Sequence, residues 1–300
     1  MAGTIMRSTQ FKSVVEPILN SAFDGIYDQR KNEYKAIFTE EQGIARSYHE
    51  ETVLSGFGAA PLMNDGSPVD YDEGSVLYTT RIPYNQYGLA FALTKVLVED
   101  GDHIRMGTIY AKHLAQSMDE TLETVLANHL NRAFTSTYTG GDGVALCSAS
   151  HPVVGDVQSN LLTAAALSQT SLEQAFIAIR NAKDARGKRI RVTPEKLVVA
   201  PSNMVQAEVL LKSVLRSGTS NNDVNFLKGS LEPIVMSRLT SSNAWFVKTD
   251  VRQGLKLLWR RKVTKATEGD FETNSVRFKS DMRFGSGWID WRSMWGNAGQ

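Results

Sequence analysis

The stretch DHIRMGTIYAKHLAQSMDETLETVLANHLNRAF, Asp102–Phe134, decides the architecture. It contains no proline, and Gly107 is its one strong helix weakener. Apolar residues recur at Ile109, Tyr110, Leu114, Met118, Leu122, Val125, Leu126, Leu130 and Ala133. Steps of three and four predict a single helix with one buried stripe. Asp102 stands where an N-cap is needed, and Arg132 lies in the last turn, where the helix dipole favours a cation. At 1.5 Å per residue the stretch spans roughly 50 Å. An ordinary globular helix has only about 11 or 12 residues. A helix of this length is a strut, so the chain around it must be what it braces.

The 300 residues provide ample material for a core, in one large or two smaller domains. A hydrophobic share of 42% with 22% charged residues places the chain among folded globular proteins. There is no apolar run of about 18 residues, so no membrane span is expected. The opening MAGTIMRSTQFKS lacks the apolar core of a signal peptide, which predicts no secretion. A single cysteine, Cys147, excludes an internal disulfide and a multi-cysteine zinc site. Residues 1–100 hold 8 Lys+Arg against 14 Asp+Glu, a net of −6, and residues 101–300 hold 25 against 18, a net of +7. The two parts attract each other, within one subunit or between neighbours; plain surface scatter is the alternative.

Upstream of the strut, residues 1–10 read as loose. Ile18, Leu19, Ala22, Phe23, Ile26 and Tyr27 then have helical spacing, with Pro17 in the first turn, and Tyr34, Ile37 and Phe38 continue the apolar contacts. This is an amphipathic arm that needs a surface, either another subunit or its own core. Ser47–Thr94 differs in character. Turn residues at Gly56, Gly58, Pro61, Asn64–Gly66 and Asp72–Gly74 separate short β-prone pieces such as Val76–Ile82 and Tyr84–Leu93. It reads as a long two-stranded excursion with an irregular tip. Such a ribbon is marginal alone and calls for a partner subunit.

Downstream, Gly140–Gly143 makes a turn and Val144–Ser150 is a short strand candidate ended by Pro152. Thr170-Ser171-Leu172-Glu173 fits a capping box before a helix through Ala182. Lys196–Ala200 (KLVVA) reads as a buried strand. Pro201–Asn203 starts another helix with Val205, Val209, Leu210 and Val214 inside, and Ser217–Asp223 is a polar loop. Gln253–Lys265 predicts a strand. Val276, Phe278, Ser280, Met282 and Phe284 alternate strictly with Arg277, Lys279, Asp281 and Arg283, with a turn at Glu268–Asp270 between the two strands. Trp288, Trp291 and Trp295 anchor the terminus by burial.

No phosphate loop, dinucleotide fingerprint, zinc-protease motif or nucleophile elbow is present. His103, His113 and His129 share the strut without the spacing of a metal pair, and His49 stands alone. Cys147 and His151 are the one conceivable nucleophile and base, with no third group to orient them. The acids Asp70, Asp72 and Glu73 match no calcium loop and read as a solvated or partner-facing turn. Cations cluster twice: Lys183, Arg186, Lys188, Arg189, Arg191 and Lys196, then Lys256, Arg260, Arg261, Lys262 and Lys265. Either patch suits nucleic acid phosphates or a salt-bridging subunit contact. No catalytic, cofactor-binding or metal-binding residue is assigned.

The order of parts, together with the closing run LKLLWRRKVTKATEGDFETNSVRFKSDMRFGSGWIDW (Leu255–Trp291), resembles the major capsid proteins of tailed bacteriophages, whose fold is shared with herpesvirus shells. The resemblance implies an α+β capsid fold with residues 1–48 as an N-arm and 49–97 as an extended E-loop. Residues 98–135 would be the spine helix of a P-domain, 136–249 an A-domain, 250–286 returning P-domain strands and 287–300 an A-domain tail. It implies a structural protein, not an enzyme, that assembles with itself as pentamers and hexamers into an icosahedral head around double-stranded DNA, in the host cytoplasm. A separate scaffolding protein and a portal are the implied partners, with a decoration protein as an optional one and no membrane or cofactor. Phe23, Ile26, Tyr27, Phe57, Leu62, Asp70, Tyr71, Asp72, Glu73 and Arg81 would form inter-subunit contacts. Arg186, Lys188, Arg189, Arg191, Arg260, Arg261 and Lys262 would be the basic patches, one of them meeting DNA. Some members of the family link the E-loop to a neighbour through a lysine–asparagine isopeptide bond. Ser47–Thr94 has no lysine, so no such bond is expected here. The alternatives are an encapsulin-like compartment shell and a Cys/His hydrolase.

Overall fold

A computed structural model describes residues 8–27, 29, 31–66, 68–94, 103–215, 224–270 and 275–300. The Asp102 cap, the first seven residues, the 217–223 loop and the end of the expected E-loop lie outside these. The strut forms as one helix, α2 (His103–Asn131), about 44 Å long. Its buried stripe runs through Ala111, Leu114, Ala115, Met118, Leu122, Leu126 and Leu130, while Ile109 and Tyr110, expected inside, are exposed. Gly107 has a packing reason. A Cβ there would sit 3.1 Å from both Leu19 and Leu93.

Two coverings meet that stripe. The first is a four-stranded sheet in the order β1-β10-β11-β4, made of Thr39–Gln42, Leu255–Asp270, Ser275–Trp288 and Asn85–Thr94. Val276, Phe278, Ser280, Met282 and Phe284 of β11 are buried, as their alternation requires. The expected turn at Glu268–Asp270 is still strand, since Glu268 pairs with Arg277 and Asp270 with Ser275. The second covering is α1 (Ser8–Tyr27). Pro17 lies inside this helix and not in its first turn. Leu19 and Phe23 pack into the same core as α2, with Phe23 only 1% exposed. The arm's helical part is therefore docked on its own chain.

A second sheet, β12-β9-β7-β8, joins Met294–Asn297, Trp245–Thr249, Pro194–Val199 and Glu232–Val235. Its pleat divides the molecule. Val198, Phe246 and Met294 enter the core around α2, while Leu197, Val199, Trp245, Val247 and Trp295 enter a second core. There they meet Leu172, Ala175 and Ile179 of α3 (Gln169–Arg180) and Ala207, Leu210 and Leu211 of α4 (Met204–Lys212). The cap of α3 is Ser168, in a reciprocal box with Ser171, rather than Thr170. Val205 and Val209 are exposed, against expectation, because α4 turns Ala207 and Leu210–Leu211 inward, and Val214 is exposed past the helix end at Lys212. Val144–Ser150 is irregular, and Pro152 sits within β5 (His151–Val153), paired to β6 (Asp156–Gln158).

The chain after α1 is fastened to the strut by a buried carboxylate. Glu123 Oε1 accepts the Glu33 N–H at 2.8 Å, and its Oε2 is buried without a partner. Burial pushes Glu123 up from 4.5 to about 7, opposed by the Glu33 N–H and by Arg238. The folded state holds this proton more tightly than the unfolded chain does. Stability is therefore present below about pH 4.5 and lost as pH rises to about 7. Glu123→Gln is expected to remove that loss and raise the thermal midpoint at pH 8 by about 2–4 °C. Melting curves of both proteins from pH 4.5 to 8 check this; parallel curves would show that Glu123 is not the group involved.

Candidate assembly surfaces

Between β1 and β4 the chain leaves the body as an antiparallel ribbon, β2 (Tyr48–Leu54) with β3 (Val76–Pro83), in register from Tyr48↔Pro83 to Val53↔Tyr78. The ribbon is shorter than the sequence implied. The segment from Asn85 onward is β4, hydrogen-bonded along its length to β11. The foot of the ribbon is anchored. Buried Lys256 reaches Glu51 at 2.9 Å and Glu41 at 3.1 Å, and Tyr78 Oη donates to the Ile289 carbonyl at 3.0 Å. Ile82 packs with Tyr84, Leu258 and Ile289. Gly141 is required here, since a Cβ would fall 2.2 Å from Thr80 Oγ1.

The tip, between Ser55 and Ser75, has the opposite character. Leu62 is 93% and Tyr71 98% exposed, with Phe57, Met63 and Val69 also in the open. Asp72 organises it by accepting the Gly58 N–H at 2.5 Å and lying 2.9 Å from Arg186 Nη1. Arg186 also donates to the Glu73 carbonyl, and Lys188 donates to the Phe57 carbonyl. The Gly58 N–H, then Arg186, hold the Asp72 carboxyl below its ordinary range. Asp184 shapes the receiving loop by accepting the N–H groups of Arg186 at 2.9 Å and Lys188 at 2.8 Å. The sequence showed both charge clusters without showing that they meet inside one subunit.

The other expected contact residues divide. Phe23 belongs to the core, and Ile26 and Tyr27 pack against it, so of the two surfaces open to the arm these residues use that of their own chain. Arg81 is engaged within the ribbon, 3.2 Å from Glu50 and over the Tyr48 ring. Asp70 and Glu73 are exposed beside the tip, and Arg189 and Arg191 are exposed beyond the Asp184 loop. Arg261 pairs with Asp281. Arg260 is half-buried and Lys262 exposed.

The chemistry open to an enzyme is narrow. Cys147 is buried and its thiol is pushed up by that burial. His151 does not address it: Nδ1 lies 2.6 Å from Asp142 Oδ2, Nε2 3.0 Å from Asn160 Oδ1, and the ring stacks on Trp291. The conceived Cys147–His151 pair is not formed. A cleft of about 820 Å³ at the foot of the ribbon is lined by Arg81, His129, Arg132, Tyr138 and Trp288, with no carboxylate in its wall. Burial, then Arg132, push His129 down to about 4, so it is neutral there. No helix among the described residues is long and apolar enough to cross a membrane.

A strut, a thin sheet and an outreaching apolar ribbon define a subunit made to be joined to others. The profile of the phage capsid protein family matches residues 78–297, and the chain belongs to that family. It is a structural protein of a capsid shell, a part of the virion that assembles with copies of itself. A search of curated proteins finds no match to this chain. Solved structures show the same tailed-phage capsid fold. The capsid of cyanophage P-SCSP1u superposes with a TM-score of 0.58 at 12% identity, over 88% of this chain and 86% of that one. The capsid of cyanophage Pam1 gives 0.56 at 12% identity, over 89% and 92%. A virus-like particle from Pyrococcus furiosus gives 0.50 at 14% identity, over 94% and 98%. The family match favours a phage shell over a compartment shell.

The clamp on the tip is ionic and exposed. Arg186→Ala should free the tip and speed limited proteolysis within residues 55–75 about tenfold in unassembled subunits, with 0.5 M salt doing the same to the wild type. Cleavage unchanged by either treatment would show that the clamp does not restrain the tip.

Proposed function

We propose that this chain is the major subunit of an icosahedral phage head, assembled as pentamers and hexamers around double-stranded DNA in the host cytoplasm. A separate scaffolding protein and a portal take part, a decoration protein is an optional addition, and the subunit carries no catalytic activity. DNA is met through non-specific contact with basic side chains. One observation carries the reading. The ribbon tip holds Leu62 and Tyr71 almost fully in solvent, with no core among the described residues to receive them. Soluble proteins rarely leave such groups together unless a partner covers them. Deleting Gly58 to Asp72 should leave a folded subunit, by circular dichroism, that builds no shells by negative-stain microscopy. Normal particles from that deletion would defeat the role given to the tip.

The same ribbon bears on how the shell holds. An isopeptide link needs an amine delivered by the loop, and Ser47–Thr94 offers only Arg81, whose guanidinium stays protonated. Cys147 is buried, which removes it from cross-linking between chains. Mature particles boiled in SDS without reductant should give one band near 33.1 kDa. A ladder that survives both boiling and reductant would refute this.

A further inference from the structure

The cleft at the foot of the ribbon, about 820 Å³, has the size of a small-molecule site, and no carboxylate stands in its wall. One side of it is the ribbon itself, Thr79 to Pro83; the other is the body, formed by the end of α2, the 137–141 turn and the end of β11. Three hydrogen-bond donors on the body side have nothing to bond. Trp288 is only 8% exposed, yet its indole N–H finds no acceptor among the described residues. Gly140 keeps that N–H clear, since a Cβ there would fall 2.5 Å from Trp288 Nε1. Asn128 turns its side-chain oxygen to Asn131 at 3.4 Å, which leaves its own NH2 group unpaired. Arg132, one turn further along the same helix face, stacks on the Tyr138 ring at 4.3 Å and meets no carboxylate among the described residues.

Donors at so enclosed a place are ordinarily paired, and three of them around one cleft call for an occupant rich in acceptors. The second cation in the wall, Arg81, already pairs with Glu50, and His129 Nε2 is taken by Ser286 Oγ at 2.8 Å, so the free positive charge is that of Arg132. The end of a helix ordinarily repels an anion. Here the carbonyls of Leu130, Arg132 and Ala133 accept the N–H groups of Ala133, Thr135 and Cys147, which blunts that end. We infer that the cleft binds a small organic phosphate, with its phosphate on Arg132, Asn128 and the Trp288 indole N–H and its body against Tyr138 and Tyr87. A phosphate ester presents three acceptor oxygens to these three donors, one more than a carboxylate. Because the ribbon forms the opposite wall, the occupant touches ribbon and body together and stiffens the ribbon where it leaves the sheet.

The test titrates the full, unassembled chain at low salt with adenosine monophosphate, inorganic phosphate and adenosine, followed by calorimetry. Adenosine monophosphate should bind once per subunit, at least about tenfold tighter than either of the other two. Arg132→Gln, at an exposed site, should weaken it about tenfold. Trp288→Phe keeps a ring and removes the N–H, and should weaken it about threefold or more. If Trp288→Phe does not fold, by circular dichroism, Arg132→Gln decides alone. Hydrogen exchange along residues 76–83 should slow when the nucleotide is added. No saturable binding, affinity indifferent to Arg132→Gln, adenosine bound as tightly as its phosphate, or exchange unchanged by the nucleotide would overturn the site. Inorganic phosphate bound as tightly as the nucleotide would mean an adventitious ion only, and would overturn the organic ligand.

Discussion

The constraint beneath this structure is that a helix of 29 residues has one apolar stripe and must bury all of it. No single element here is large enough for that. The hairpin β10–β11 takes one side through Leu257, Trp259, Phe278, Met282 and Phe284, and α1 closes the other with Leu19 and Phe23. Burying such side chains is worth about 1.5–3 kcal/mol each. The helix, the hairpin and the arm are therefore one cooperative unit, although the helix ends at Asn131 and the hairpin only at Trp288. What remains is placed by that unit: β1 and β4 extend its sheet, and the ribbon starts where the chain passes between them.

The second sheet is tied to the first core in two ways. Its pleat sends alternate residues to opposite cores, so it cannot move without opening both. A buried polar knot then fixes the C-terminal tail. Asn160 Nδ2 donates to the carbonyls of Leu146, Met294 and Trp291, and Asn160 Oδ1 accepts from Ser148 N–H. Because that amide is oriented by the backbone, its Oδ1 also faces His151 Nε2 as an acceptor, and the other ring nitrogen, Nδ1, lies 2.6 Å from Asp142 Oδ2. Trp291 and Trp295 are held by this arrangement as well as by their own burial. A polar network so fully satisfied specifies one geometry in a way that apolar packing alone does not.

Sequence periodicity was informative where one element faces one core. The strut, the alternation of β11, the KLVVA strand and the buried tryptophans were legible because each follows from its own pattern. Reading failed where the choice was made by a neighbour. Val205 and Val209 are spaced like a buried stripe, yet α4 is rotated by the volume of Ala207 and Leu210–Leu211 against β7. Tyr84–Leu93 looked like the return of the ribbon, because β-propensity does not say which strand will be the partner. Glu268–Asp270 has turn composition but continues to pair, since β11 offers Arg277 opposite Glu268. Of the candidate contacts, the tip residues could be found from exposure-prone apolar groups among turn formers. The meeting of Asp72 with Arg186 spans 114 positions and leaves no local signal.

The division of charge along the chain now has a physical meaning. The acidic first hundred residues meet the basic remainder within the subunit: Glu41 and Glu51 on Lys256, Asp24 on Lys265, Glu33 on Arg238 and Asp72 on Arg186. Those pairs are already made before a neighbour arrives, and exposed ones contribute only about 0–1 kcal/mol each. Exchanging such a pair within the subunit for one between subunits changes little free energy. The apolar tip is different, because nothing among the described residues covers Leu62 or Tyr71, and covering one Leu or Phe returns about 1.5–3 kcal/mol. If the tip is the contact proposed above, association draws its strength from the tip's apolar groups, while charge acts on register and encounter rate. A shell with many identical contacts needs each one to be weak enough to correct, and a ribbon held back by ion pairs that can be exchanged at little cost meets that need.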